Sequence, residues 1–450
     1  MNPHSPDATP LIPWDPISPW PKARPWIWGA LFVFVCLYQG PGFVKQLRPD
    51  RTEGVDFFQD WASAKNLLEG LPLYENHNIT VERHLGYSTG PQDGSVVAIE
   101  YNAHPPPSVL LAVPFALVDY PDATLLWNLV SLAAFGLSVY LVVHNLPINL
   151  GIPAVVPFIT LFLIFDPIRQ QCSQGQLGFV LLLLITSCWA AARSQHCSWA
   201  GIFLGAAIAI KLFPAFLVFY FCIRRRWKIV AASSLSFVVL TALSSVILGI
   251  ESYRTYFNKV LPTVERFRSS WINQSFPGLW TKLFDPETER EHIVALWRSP
   301  ALAQTLTLIS CLMVVAILLW VARHTRSQAE EDHTFGLAVL AMLLVSPITW
   351  NHYLVLVLLP VATTWLRLPA AFSWRAAFLT ILAALGIEPS LLYKAIPGGF
   401  GVGVATPWQT LTLLSVQFYG LLGLFALGIA EAQFFGRYSG SSSAAHRATS

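Results

Sequence analysis

Apolar residues run along this chain in long blocks with short polar breaks, not in the alternation of a half-buried strand. A helix needs about 20 apolar residues to cross a hydrocarbon core, within a range near 17–25. The pattern predicts apolar helices over Trp26–Val44, Thr124–Val143, Ile152–Phe165, Leu177–Ala192, Lys228–Leu248, Ala301–Val321, Phe335–Val345, Tyr353–Leu366, Ala376–Ile387 and Leu411–Ala430. The shorter of these suit helices that line an internal cavity. Ser198–Cys222 reads as two short helices. Basic residues flank it at both ends, Arg193 on one side and Arg224–Lys228 on the other, and basic loops belong to one side of a membrane. Lys211 and Pro214 interrupt its middle, so the two helices meet near Lys211-Leu212-Phe213-Pro214.

Two further stretches read as interfacial. The apolar part of Pro105–Val118, about 12 residues, covers roughly 18 Å at the helical rise and lies along the interface. Tyr253–Phe267 gathers Tyr253, Phe257, Val260, Leu261, Val264 and Phe267 on one face and Arg254, Lys259 and Arg266 elsewhere. The predicted fold is an all-α polytopic membrane protein of about twelve transmembrane helices, with interfacial helices in the outer loops 45–123 and 250–300. Lys22 and Arg24, Arg193, Arg224–Lys228, Arg323 and Arg326, Arg367 and Arg375, and Arg437 then share one side with both termini. The positive-inside rule makes that side cytoplasmic.

Composition narrows the class. Of 450 residues, 54% are hydrophobic and 12% charged, against about 25% charged in soluble chains. That excludes a water-soluble enzyme, a disordered protein and a nucleic-acid-binding module. A net charge of +3 points to no polyanionic partner. The six cysteines lie mostly in apolar runs, without CxxC or Cys/His metal spacing, and read as small core residues. Residues 1–25 hold eight prolines and two basic residues, unlike a cleavable signal. The expected organisation is a Pro-rich cytoplasmic tail at 1–24, a membrane domain at 25–435 and a disordered Ser/Ala-rich tail at 436–450 in a multi-pass cell-membrane protein.

The outer loops carry nearly all the unusual polar residues. They include Asp56, Gln59 and Asp60; Glu100-Tyr101-Asn102-Ala103-His104; Arg169 and Gln174-Gly175-Gln176; Lys211; Trp271-Ile272-Asn273-Gln274-Ser275; and Trp350-Asn351-His352. A chain poor in charge that gathers these at one membrane–water boundary offers a site for a lipid phosphate and a polar co-substrate. Asp56, beside Val55, Phe57 and Phe58, has surroundings that raise a carboxylate's pKa and suit a general base. Lys211 and Arg169 are cations able to hold a leaving phosphate. Gln174 and Gln176 can orient hydroxyls, and Trp350 can stack on a sugar. Together they describe sugar transfer from a lipid phosphate to an acceptor hydroxyl. No loop is long enough for a nucleotide-binding domain, and neither a Walker A nor a GxGxxG loop is present.

These residues also carry a resemblance. Asp56-Phe57, Ala62, Ala64, Leu67-Leu68-Glu69-Gly70 and Leu73-Tyr74 resemble the first-loop signature of the family 87 glycosyltransferases, membrane enzymes of the GT-C superfamily. Tyr101 with Pro105-Pro106, Gln174-Gly175-Gln176, Ala207 with Lys211 and Pro214, the Arg224–Lys228 cluster, and Trp350 with His352 follow in family order. The resemblance implies a GT-C glycosyltransferase fold, a polyprenyl-phosphate sugar donor (mannose first), a lipid or glycan acceptor and inversion at the extracytoplasmic face. It places the catalytic aspartate on Asp56 and the functional histidine on His352. Lys211 and Arg169 fall to the donor phosphate, and Gln174, Gln176, His104, Tyr101, Trp350, Asn351 and Asp60 to substrate. No cofactor and no metal are expected. The chain departs from the family pattern in having Ser173 before Gln174-Gly175-Gln176, and Asn102-Ala103-His104 between Tyr101 and the prolines.

Plainer roles stand beside these. Asp56 also fits a helix N-cap or a solvated loop acid, Lys211 a snorkelling side chain, and His352 a helix cap or the partner of a buried carbonyl. Asp60 fits a structural acid or a reserve base. Arg224–Lys228 reads as a topology signal that contacts anionic lipid. A secondary transporter or flippase is the rival from another class, although transporters commonly show two related halves and no such repeat is visible. A non-catalytic scaffold is the third reading.

Overall fold

The structure is a computed structural model that describes residues 24–50, 55–87, 100–148, 154–287, 291–396 and 404–430. Apart from Arg24, the expected tails at 1–24 and 436–450 lie outside the described residues. Helices dominate the described residues; the only extended pairing among them is two isolated bridges, Asn273 with Trp350 and Ile293 with Ala405.

Each apolar block expected from the sequence forms helix. α1 covers Arg24–Leu47, α2 Phe57–Leu68, α3 His77–Leu85, α4 Pro106–Ala112, α5 Tyr120–Asn145 and α6 Val155–Ile164. α7, Asp166–Gln174, turns by 118° into α8, Gly178–Arg193. α9, Cys197–Ile210, and α10, Phe216–Ile223, are the two short helices expected around Lys211. α11 is Trp227–Leu248, α12 Ile250–Thr255, α13 Leu261–Glu265 and α14 Phe276–Phe284. α15 covers Pro300–His324, α16 Gln328–Val345, α17 Leu358–Arg367, α18 Phe372–Gly386, α19 Pro389–Lys394 and α20 Pro407–Ala430.

Five of these are long and apolar enough to cross a bilayer, namely the helix beginning at Pro25 within α1, α5, α11, α15 and α20, and the bent α7–α8 pair would make a sixth. The sequence pattern counts twelve crossings, because it admits helices such as α6, α9, α10 and α18 that are too short to span alone.

Lipid-facing and central helices differ as the bilayer requires. α11 turns Leu235, Val238, Val239, Leu243, Val246 and Ile247 outward, a stripe that in water would be a large exposed apolar patch. α16 is the opposite, buried on every side from Asp332 to Leu344, as a core helix must be. Its start is fixed by a capping box in which Ser327 and Glu330 satisfy each other's backbone N–H groups. α9 packs closely on α11 through Gly201 and Gly205. A Cβ at Gly201 would stand 2.7 Å from the Ile229 carbonyl, and one at Gly205 2.5 Å from that of Ser233. Small residues four apart let two membrane backbones approach this closely.

The Tyr253–Phe267 stretch is helical, but its buried face differs from the one expected. Tyr256, Val260 and Phe267 are buried, while Phe257 is exposed. The five residues Tyr256–Val260 form a π-turn, which rotates the following residues relative to a regular 3.6-residue period. Pro105–Val118 forms α4 and a 3-10 turn that bury Val109, Ala112 and Ala116 and pack against α2.

Candidate active site

The site begins at α2. Tyr120 of α5 accepts a hydrogen bond from Val55 N at 2.9 Å, Phe57 stacks on Trp127 at 5.2 Å, and Phe58 meets Tyr120 edge-on at 5.5 Å. This aromatic bed fixes where α2 starts, and Asp56 stands at that start. It occupies the N-cap position, but its carboxylate makes no capping hydrogen bond. Gln176 Nε2 donates to Asp56 Oδ2 at 2.6 Å, and Gln59 Nε2 lies 3.4 Å from Oδ1. Burial raises the Asp56 pKa above the ordinary 3.8; the Gln176 hydrogen bond and the charges of His104 and Lys211 oppose this. A solvated loop acid would not behave so.

The bend between α7 and α8 explains the Gln-Gly-Gln spacing. Gly175 has φ +60°, and a Cβ there would lie 2.6 Å from Phe57 Cβ. Its carbonyl accepts from Trp127 Nε1 at 2.7 Å, and Gln171 Nε2 donates to the Gln176 carbonyl. Only glycine fits both the left-handed backbone and the contact, and the turn delivers Gln176 to Asp56. Gln176 Oε1 is buried without a hydrogen-bond partner. Gln174, on the other side of the glycine, is half-buried and makes no side-chain hydrogen bond among the described residues.

One turn along α2, Asp60 is 3% exposed and accepts from His104 Nδ1 at 2.7 Å. Asn102 Nδ2 donates to Asp60 Oδ1 at 3.2 Å, to the Gln59 carbonyl and to Ser63. Ala103 N donates to Gln59 Oε1, and Tyr74 Oη to the His104 carbonyl. The Asn102-Ala103-His104 segment is thereby stitched to the helix that presents Asp56. Tyr101, half-buried, contributes through its backbone, which hydrogen-bonds His77.

From the other side come Lys211 and His352. Lys211 Nζ donates to Tyr353 Oη at 2.9 Å, so the lysine is held and does not simply reach for solvent. Tyr353 in turn stacks on Phe213 at 5.1 Å. His352 is 6% exposed, makes no hydrogen bond among the described residues, and leaves Nε2 buried and unpaired. It therefore neither caps a helix nor satisfies a carbonyl. Burial, then the charges of Lys211 and His104, hold its pKa well below 6.5, so it is a neutral imidazole at pH 7. Trp350 lies nearly parallel to its ring, centroids 6.4 Å apart.

Gln176, His104, Lys211 and Asp60 thus act on Asp56, and Lys211 and His104 act on His352. Arg169 and Asn351 belong to an adjoining network. Arg169 pairs with Glu388 at 2.7 Å and Asp166 at 3.2 Å and donates to Gln39, while Asn351 Nδ2 donates to Asp166 Oδ2 at 3.2 Å. Burial pushes the Asp166 carboxyl up to about 6, with Arg169 opposing it. Gln59 and Tyr353 receive no individual role from the sequence. The amide three residues after Asp56 is the one hint for Gln59, and nothing but adjacency to His352 marks Tyr353. Among the described residues no three His, Cys, Asp or Glu side chains cluster as metal ligands.

Comparison with known proteins places the sequence in a family. The model of glycosyltransferase family 87 matches residues 102–347, a segment holding His104, Arg169, Gln174, Gln176 and Lys211; Asp56, Asp60, Tyr101, Trp350, Asn351 and His352 flank it. A polyprenol-phosphate-mannose-dependent alpha-(1-2)-phosphatidylinositol mannoside mannosyltransferase of Mycobacterium tuberculosis is 27% identical over 56% of this chain and 58% of its own length. The protein of the same description from Mycolicibacterium smegmatis is 28% identical over 49% of this chain and 48% of its own. A phosphatidylinositol pentamannoside mannosyltransferase from that organism is 26% identical over 68% of this chain and 71% of its own. The chain therefore spans about half the length of the first two relatives. No solved structure matches it. Since the family model covers more than half of the sequence, this chain belongs to glycosyltransferase family 87.

Proposed function

We propose that this chain is a membrane mannosyltransferase. It moves mannose from a polyprenyl-phosphate donor to a hydroxyl of a phosphatidylinositol mannoside or similar glycolipid. The observation that carries this reading is a desolvated carboxylate, Asp56, pinned by Gln176 and subject to the charge of Lys211, which also acts on the unpaired His352. The names of the relatives supply the donor and acceptor classes. Twelve crossings, both termini in the cytoplasm and a site on the extracytoplasmic face complete the reading.

Asp56 takes the proton of the acceptor hydroxyl, whose oxygen attacks the anomeric carbon in line and inverts it. The bond from that carbon to the phosphate oxygen breaks, and its electron pair leaves with the polyprenyl phosphate. Lys211 offsets the charge that grows there. His352, neutral, donates to a phosphate oxygen or orients the acceptor. Gln176 keeps Asp56 aimed while its free Oε1 accepts from a sugar hydroxyl, and Trp350 stacks on the sugar. The Asp60–His104 pair borders the acceptor. Gln174 and Tyr101 line the sugar's approach. Arg169 acts on the phosphate only from outside, through the network that holds Asn351. Neither metal nor cofactor takes part.

The test is mannosyl transfer by the purified protein in lipid, from polyprenyl-phosphate mannose to glycolipid extract, with Asp56→Asn alongside. Wild type should transfer and the variant should lose about 10²–10⁴ in kcat, the usual contribution of a general base. Equal transfer by both would remove Asp56 as the base. Failure of the wild type with a panel of polyprenyl-linked sugars, combined with ion-driven sugar uptake, would favour a transporter.

A further inference from the structure

Lys282 is fully buried in α14, outside the residues gathered around Asp56. A buried ammonium costs several kcal/mol of desolvation, so a purely packing role would suit methionine better. Its Nζ donates to the Asn273 carbonyl at 2.9 Å. One turn earlier on the same helix, Gly278 leaves room for the Asn273 side chain; a Cβ there would stand 2.4 Å from Asn273 Cγ. α14 therefore grips Asn273 twice, by its carbonyl and by the slot for its amide.

Asn273, also fully buried, joins two loops. Its Nδ2 donates to the carbonyls of Arg268 at 2.9 Å and Pro347 at 3.0 Å. Its Oδ1 accepts from Ser275 Oγ and Thr349 N, each at 2.9 Å. Gln274 N donates to the Thr349 carbonyl at 2.8 Å, and Asn273 forms an antiparallel bridge with Trp350. Trp350, wedged against Phe267 at 5.7 Å, presents its face to His352. His352 has no hydrogen bond of its own to fix its ring, so its orientation comes from its neighbours.

We propose that Lys282 is a positioning residue for His352: through Asn273 it holds the Thr349–Trp350 turn against which the imidazole is set. The inference rests on the reading that His352 serves sugar transfer. Burial pushes the Lys282 ammonium down to about 7, with the Glu291 carboxylate opposing; the charged and the neutral amine can both donate to the Asn273 carbonyl.

The experiment uses the full chain in nanodiscs with labelled histidine, the His352 signal being assigned by its loss in His352→Gln. In Lys282→Met the His352 signal should move while that of His333, on α16, stays. kcat should fall about tenfold with the KM for the donor within about twofold, the pattern of a misplaced group rather than a lost contact. Asn273→Ala should do the same, and the double variant should be no worse than either single one. Gly278→Ala, which crowds Asn273 and leaves Lys282 in place, supplies the same readout if Lys282→Met does not fold. A lower melting temperature with the His352 signal and kcat per folded molecule unchanged would overturn the proposal. If the wild type transfers no sugar, the functional reading fails, and the histidine signal alone still decides whether Lys282 sets the ring.

Discussion

The two ends of α8 each adjoin a cluster of polar side chains, and the two clusters are built on opposite plans. At the Arg193 end Asp332 and Glu331 each have a cation. Asp332 accepts from Arg193 at 3.1 Å and from Trp189 and Gln328, and Glu331 pairs with Arg224 at 3.3 Å and Arg226 at 3.0 Å. These pairs tie the turns after α8, α10 and α15 together. At the Gln176 end Asp56 is held only by amides, Lys211 by a phenol, and His352 by packing. Matched charges cement loops. Groups left incompletely matched are poised for a ligand, and they withhold stability that the fold must supply elsewhere.

The sharpest way to break this contrast is to neutralise one carboxylate at each end. Asp332→Asn should cost about 1–3 kcal/mol, because Arg193 loses its counter-charge while already partly solvated. Its kcat per folded molecule should not change. Asp56→Asn, expected to lose about 10²–10⁴ in kcat, should hold or raise the melting temperature, since it removes a desolvated charge. Thermal melts of the two variants decide this, and a large loss at Asp56 would place it among the structural pairs.

A second substitution separates the turn from the charge. Gly175→Ala should cost about 1–2 kcal/mol for the left-handed backbone and about 1–3 for crowding Phe57. It should also reduce transfer by releasing Gln176 from Asp56. Activity and melting measured together would show whether both fall, and full activity would detach the turn from the site.

The gentlest probe is pH. Asp56 has a folded pKa above its unfolded value. Its burial is free of penalty below the unfolded value, and the cost grows as pH rises through the folded one. Lowering the pH through that window should therefore stabilise wild type relative to Asp56→Asn while transfer falls, because the base becomes protonated. The acid limb of kcat/KM should lie above 3.8 and vanish in the variant. A limb shared by both would belong to another group, with Asp166, near 6, the first to examine.

Much of this was legible in the residues. Apolar block length marked the helices, and Lys211 with Pro214 marked the break between α9 and α10. Asp56 among aromatics, the Gln-Gly-Gln spacing and His352 beside Trp350 marked the candidate site. The face of Tyr253–Phe267 was not legible, because a π-turn changes the period without a signal in composition. Nor were the roles of Gly201 and Gly205, which matter only where α11 approaches. Arg169 carried the same charge as Lys211 in the sequence, but the fold places Glu388 and Asp166 beside it. Asn273 reads as loop polarity and Lys282 carries no signal in the sequence, yet both are buried joints.

By itself, then, the sequence determined the solvent, the helical class and the residue types at the candidate site, because hydrophobicity, backbone restriction and ionisation are properties of residues and their near neighbours. Tertiary structure alone decided which charges are paired and which are left open. Asp56 meets Gln176 across 120 positions and Lys211 meets Tyr353 across 142, and pairing over such distances is set by how helices pack.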